Sequence, residues 1–352
     1  MSPTKITHKT NIRDSQFELL RIIAMVFVML YHANFLDIYL DGDISTSQLN
    51  PLSIWGYSIT KCSTMCCVDL FILISGWYGL NFSIRKLLKL YMTMIVCSVS
   101  IYMLCVWLIP TLHFDLRTAI NLFVGRGYWF VPAYAMLMIL APFLNSFIEN
   151  STRHKIKRIL IVYLILELWL GWIDRNTFFD FGCSPLNFVG LYLIARYMRL
   201  FPQSRIYKLS QTTTIFLWFL LTLAVSVLCT FMVMNGYQDA LLHIFSYISP
   251  FCTLQSVLIL LIFSRLRFNS RIICLLGASS FISYLVHAQP FFYDYIYLPI
   301  CKRFFLNYDG FIGYLYTIVW VFLIFILTAL IYTGLKSIYN KIIIIYESTT
   351  HP

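Results

Sequence analysis

Charge is what this sequence has least of. Only 12% of its 352 residues are Asp, Glu, Lys or Arg, about half of the roughly 25% that a water-facing domain carries. Acid is the scarcer sign, with 15 Asp and Glu against 26 Lys and Arg. That scarcity excludes a soluble globular enzyme, and a 60% hydrophobic content excludes a disordered or collagen-like chain. Gly and Pro number only 14 and 11, and no low-complexity linker separates a second domain. The ten cysteines make no CxxC pair and no Cys/His ligand spacing. They read as small buried hydrophobes, with no metal and no disulfide framework expected.

What the chain has instead is apolar length. Mean hydropathy is +0.77, and apolar runs fall at about 17–37, 59–80, 88–110, 129–148, 158–173, 185–200, 212–234, 247–264, 271–292 and 311–334. Runs of about twenty residues cross a hydrocarbon core of roughly 30 Å as helices. A membrane barrel would show alternating segments of about ten residues instead. The expected fold is all-α, a polytopic membrane helix bundle of about ten transmembrane helices. A membrane domain over 17–335 would lie between short tails at 1–16 and 336–352. The first run follows a polar start and is long enough to span, so no cleavable signal is expected.

Basic residues sort by side. Lys5, Lys9, Arg13, Arg21, Arg85, Lys86, Lys89, Arg153, Lys155, Lys157, Arg158, Arg196, Arg199, Arg205, Lys208, Arg265, Arg267, Arg271, Lys336 and Lys341 fall on one side of the alternating runs. Arg117, Arg126, Arg175, Lys302 and Arg303 fall on the other, with Lys61 near a helix end. Twenty against five places both termini in the cytoplasm. The acids Asp37, Asp41, Asp43, Asp115, Asp174, Asp180, Asp239, Asp294 and Asp309 fall outside. The net charge of +11 is thus a topology signal, and no nucleic-acid partner is expected. The partner the pattern implies is the lipid bilayer. Residues 111–128 and 291–310 are the longest external connections and read as half-helices or caps over the outer mouth.

Polar groups at membrane depth are costly, so each is a functional candidate. Arg21 and His32 are eleven positions apart in the first run. At about 100° per residue they share one helix face, about 16 Å apart along the axis. Glu18 lies one turn before Arg21 and can pair with it. The plainer readings are an arginine that snorkels to the interface and a histidine that hydrogen-bonds between helices. Asp69, inside the second run, lies at a depth comparable to His32, and a carboxylate–imidazole pair would make His32 a better base. A structural bond to Lys61 or to backbone donors is the alternative. Arg85, Lys86 and Lys89 form a cationic mouth that suits topology, anionic lipid or a phosphate-bearing ligand. Weaker candidates for ligand binding, each with a structural role as the plainer reading, are Tyr284 and His287 in SYLVHAQP, Glu167 midway along the fifth run, and Arg126 in GRGYWF. The tryptophans near run ends, including Trp129, read as an interfacial belt.

Together, Arg21-x10-His32, VDLFILISGWYGL with its basic turn, YWFVPAYAMLMILAPFLN and GASSFISYLVH resemble acyltransferase family 3 over nearly the whole chain. The resemblance implies a multi-pass enzyme of the bacterial cytoplasmic membrane. It would move an acyl group, usually acetyl from acetyl-CoA, to a hydroxyl of an extracytoplasmic or lipid-linked glycan. His32 would be the catalytic histidine and Arg21 its paired arginine. The family's Arg-x-x-Arg pair appears as Lys86-x-x-Lys89 after Arg85, which keeps the charge but loses the bidentate fork. No fused hydrolase-like domain is expected. Arg21, Arg85, Lys86 and Lys89 would hold the phosphates of CoA, with the pantetheine arm reaching toward His32. A glycolipid transporter or flippase without transferase activity is the competing class, and a catalytically silent assembly partner a third.

Overall fold

The computed structural model describes residues 14–33, 36, 51–308 and 310–350, without the side chains of 205, 206, 310 and 338–350. Most of the 1–16 tail lies outside those residues. So do Lys5, Lys9, Arg13, Asp37, Asp41, Asp43 and Asp309 of the charge count, and the side chains of Arg205 and Lys341.

The described residues are helical throughout, with no strand. In chain order the helices are α1 (Ser15–His32), α2 (Pro51–Thr64), α3 (Cys67–Tyr78), α4 (Ile84–Leu108), α5 (Leu116–Phe123), α6 (Phe130–Glu149) and α7 (Arg153–Leu166). Next come α8 (Pro185–Leu200), α9 (Gln211–Met234), α10 (Gln238–Ile244), α11 (Pro250–Ser264), α12 (Arg271–His287), α13 (Leu298–Asn307) and α14 (Gly310–Thr350). Each of the ten apolar runs lies on one or more of these helices.

They do not all qualify as spans. Among the described residues six helical segments are long and apolar enough to cross a membrane: Ser15–His32, Pro51–Tyr78, Ile84–Leu108, Phe130–Glu149, Gln211–Met234 and Phe311–Ser337. A seventh is counted if α12 and the Pro290–Asn307 segment, bent by 73°, are taken as one. The helices α8 and α11 have only 16 and 15 residues, about 23–24 Å, short of a full core. The protein is therefore an all-helical membrane protein with about six candidate spans by this measure among the described residues. The 59–80 run also differs from expectation: its helix starts at Pro51 and breaks between Thr64 and Cys67. Beyond Leu166, α7 continues as a π-helical stretch, Glu167–Ile173. The connections at 111–128 and 291–310 contain helices, α5 and α13.

The helix α1 is central, packing against α12, α3, α2, α14 and α11. Leu20, Met25 and Met29 of α1 are fully buried with Leu70 and Leu73 of α3 and Leu260 of α11. Two glycines set the spacing. A Cβ at Gly76 would lie 2.6 Å from the Tyr192 carbonyl, so α3 and α8 touch backbone to backbone. A Cβ at Gly277 would lie 2.9 Å from Glu18 Cβ, which joins α12 to α1 in the same way. The outward faces carry Trp107, Phe143, Phe216 and Phe311, all strongly exposed, as suits helices in lipid.

Candidate active site

Three helices turn one face each toward a cavity of about 290 Å³. From α1 come Arg21, Val28 and His32; from α3, Val68, Phe71 and Ser75; from α12, Gly277, Ser280, Phe281 and Tyr284. These positions recur every three, four or seven residues, so each set forms a stripe on one helix face. Arg21 and His32 line the same cavity at points about 16 Å apart along α1. Phe130 and Tyr134 of α6, with Trp129 and Tyr247, complete an aromatic wall. The Tyr134 hydroxyl lies 3.1 Å from Ser75 Oγ.

Side chains from elsewhere reach the carbonyls at the end of α1, and that of Met29 also accepts from the Ala33 N–H at 3.0 Å. Tyr297 Oη donates to the Met29 carbonyl at 2.6 Å, Lys61 Nζ to that of Tyr31 at 3.1 Å, and Tyr293 Oη to that of His32 at 3.3 Å. Lys61 is fully buried, its ammonium 3.0 Å above the Tyr31 ring. Tyr31 Oη in turn donates to the Phe245 carbonyl at 2.7 Å. The turn that carries His32 is thereby held from three directions.

The ring of His32 is oriented by a second histidine. His32 Nδ1 lies 3.2 Å from His287 Nε2, and His287 Nδ1 lies 3.0 Å from the Ser283 carbonyl. A carbonyl only accepts, so His287 carries its proton on Nδ1. In the neutral ring Nε2 is then an acceptor, and it takes the proton of His32 Nδ1–H. This leaves His32 Nε2 with a bare lone pair. The rings lie nearly parallel, 28° apart, with Tyr293 edge-on to His32 at 6.0 Å.

At the other end, Arg21 Nη1 donates to Glu18 Oε1 at 2.5 Å; the Arg21 side chain is 31% exposed and that of Glu18 only 4%. The Glu18 side chain packs on Gly277, where any larger residue would strike it. The aromatic wall is positioned by the GRG turn. Gly125 and Gly127 take φ of +89° and +103°, a region that side chains avoid. Tyr128 Oη then donates to the Leu285 carbonyl at 2.7 Å, which aims Trp129 and Phe130 inward.

A cavity joining an arginine and a histidine on one membrane helix is the arrangement the sequence motifs anticipate, and a family comparison decides the matter. The family described as "Acyltransferase domain" matches residues 14–345. The chain belongs to acyltransferase family 3. Neither the curated proteins nor the solved structures include a match. The protein is a membrane acyltransferase, and the bundle from α1 to α14 is its acyltransferase domain.

Within this acyltransferase, the structure brings Arg21, His32, Tyr284 and His287 together and leaves the other predicted residues elsewhere. The expected His32–Asp69 pair does not form. Asp69 is fully buried, but its Oδ2 accepts from Cys252 Sγ at 3.4 Å, and its Oδ1 meets no partner among the described residues. The reason is azimuth: Val68, Phe71 and Ser75 face the cavity, and Asp69 is turned about 100° away toward α11. Arg85, Lys86 and Lys89 are exposed on the first turns of α4 and line none of the cavity, although Leu90 does. Arg126 is exposed on the GRG turn. Glu167 lies in a different cavity and accepts from Tyr163 Oη at 3.3 Å. Trp129, expected in an interfacial belt, also lines the cavity. Sequence reasoning also missed Tyr134, Tyr247 and the carbonyl-capping Tyr293 and Tyr297. Nothing local marks them, except that Tyr293 and Tyr297 are one turn apart.

Proposed function

We propose that this protein is an O-acyltransferase that moves an acyl group, acetyl by the family's habit, from cytosolic acyl-CoA to a hydroxyl of an extracytoplasmic or lipid-linked glycan. The acyl-CoA nucleotide stays at the Arg21 end, where Arg21 meets its phosphates; Arg85, Lys86 and Lys89, exposed outside the cavity, add positive charge for the part of the nucleotide that projects from it. The thioester arm runs along the cavity toward His32. With both termini in the cytoplasm of a bacterial inner membrane, as the charge count implies, the His32 end faces the acceptor.

His32 Nε2 takes the proton of the acceptor hydroxyl as its oxygen attacks the thioester carbonyl. The tetrahedral intermediate collapses with cleavage of the C–S bond, and the departing thiolate of CoA recovers the proton from His32 Nε2. His287 accepts from Nδ1–H throughout and so keeps Nε2 aimed at the cavity. The same lone pair would serve if His32 carried the acyl group itself; an acid-quenched acyl-histidine would then be isolable. The observation that carries the reading is the single cavity lined at one end by Arg21 and at the other by His32. A transporter would use such a cavity without consuming thioester.

The test is acetyl transfer from radiolabelled acetyl-CoA to an envelope glycan extract by the purified protein. His32→Ala should bind acetyl-CoA within about threefold of the parent and lose transfer by about 100- to 10,000-fold, the range of a general base. Near-normal turnover in that variant would remove His32 from the chemistry.

A further inference from the structure

A second, larger cavity of about 710 Å³ opens on a face where Ile161, Leu164, Leu168 and Leu254 are exposed, and it shares no lining residue with the first. Its walls are α7 and α11, and Ile194, Tyr197 and Met198 of α8 form its floor. At one end stand Arg153 and Lys157, one turn apart on the same face of α7. Two cations so placed repel each other, and among the described residues neither makes an ion pair; Arg153 Nε donates to Tyr197 Oη at 3.3 Å. Two hydroxyls in the lining, Ser204 Oγ and Thr253 Oγ1, belong to side chains only 6% and 9% exposed and have no hydrogen-bond partner among the described residues. A buried polar group without a partner is costly. Between these features the wall is apolar: Leu160, Ile161, Leu164, Leu168, Leu254 and Val257.

We propose that this groove is a binding site for a membrane phospholipid with an anionic phosphodiester headgroup. The phosphate sits between Arg153 and Lys157, the Tyr197 and Ser204 hydroxyls donate to its oxygens, and one acyl chain lies along the apolar wall. The dimensions agree. From Arg153 to Glu167, where the wall turns polar again, is about 21 Å, the headgroup level plus one leaflet of a core roughly 30 Å thick. The cations belong to the set that the charge count places in the cytoplasm, so the lipid is one of the inner leaflet. That position separates it from the acceptor, which the proposed transfer places at the outer end.

The experiment is native mass spectrometry of the purified full-length protein, delipidated and then titrated with phosphatidylglycerol or phosphatidylcholine of matched chains. Each surface cation contributes about fivefold to anionic-lipid affinity, so phosphatidylglycerol should bind about 25-fold more tightly. Arg153→Gln with Lys157→Gln should erase that preference while leaving phosphatidylcholine binding unchanged. Leu164→Trp, which narrows the groove without touching charge, should weaken both lipids. Equal binding of the two lipids by the parent would overturn the proposal. So would a preference that survives the double substitution, or displacement of phosphatidylglycerol by equimolar polyprenyl phosphate, which would make the groove a carrier-lipid site.

Discussion

His32 and His287 are 255 positions apart in the chain, yet their ring nitrogens meet at 3.2 Å. The proton on His287 Nδ1 is held by the Ser283 carbonyl, and that one bond propagates to the tautomer of His32. Removing the acceptor should therefore act on the chemistry more than on donor binding. In His287→Leu, kcat should fall about 10- to 150-fold, corresponding to roughly 1.5–3 kcal/mol for a hydrogen bond to a group that becomes charged. KM for acetyl-CoA should stay within about twofold. His287→Gln, whose Oε1 can accept from Nδ1–H, should recover most of the rate. Nitrogen-15 spectra of the imidazoles check the same point without turnover: loss of the Nδ1–H signal of His32 in the leucine variant is expected. An unchanged tautomer there would show that His287 merely fills space. Asp69 teaches the complementary lesson at this scale. Its depth agreed with that of His32, but depth alone does not make a pair, because a helix position also has a direction.

Helix contacts position the two ends of the site. The helix α12 approaches α1 through Gly277, against which Glu18 lies, and Glu18 holds Arg21. Gly277→Val should force the helices apart, costing about 1–3 kcal/mol as overpacking does. It should raise KM for acetyl-CoA more than it lowers kcat, because it disturbs Arg21 and not His32. Thermal unfolding and steady-state kinetics of the purified variant measure the two effects. Outside the spans, α10 is tied to the loop between the π-helical stretch and α8 by Arg175, whose guanidinium donates to His243 Nε2 and to the Asp239 carbonyl. Trp172 Nε1 donates to the His243 carbonyl at 2.9 Å. Burial, and then the Arg175 charge, hold the His243 imidazole below its ordinary value of 6.5. The folded protein thus binds fewer protons here than the unfolded chain, so this contact stabilises above about pH 6.5 and is lost as pH falls below it. The midpoint of thermal unfolding should drop on acidification from pH 7 to 5.5, and His243→Gln should flatten part of that dependence.

At the scale of the whole molecule, Arg21 marks one end of the site and the His32–His287 pair the other. Arg21, Arg153, Arg199 and Arg265 lie toward the first, with Arg199 stacked over Trp77 and Arg265 donating to the Leu209 carbonyl. His32, His287 and the loop with Arg175 and His243 lie toward the second. Reporter fusions after residue 350 should be fluorescent as a cytoplasmic protein and inactive as a periplasmic phosphatase. The opposite result would invert the bundle and put the donor mouth on the wrong side of the membrane.

Apolar length, the sorting of charge and the eleven-residue spacing of Arg21 and His32 were legible because each depends on the chain near itself: on hydropathy, on loop composition, on the pitch of one helix. These determined an all-helical membrane protein with a cation and an imidazole on one face. Which runs are full spans was not legible, since α8 and α11 are only 16 and 15 residues long and hydropathy does not register where a helix ends. Nor was the partner of His32. Azimuth around α3 turned Asp69 toward Cys252, and a bend after α12 carried Tyr293 and Tyr297 back to the end of α1. Only packing sets the rotation of one helix against another, and that rotation decided that an imidazole, rather than a carboxylate, stands behind His32.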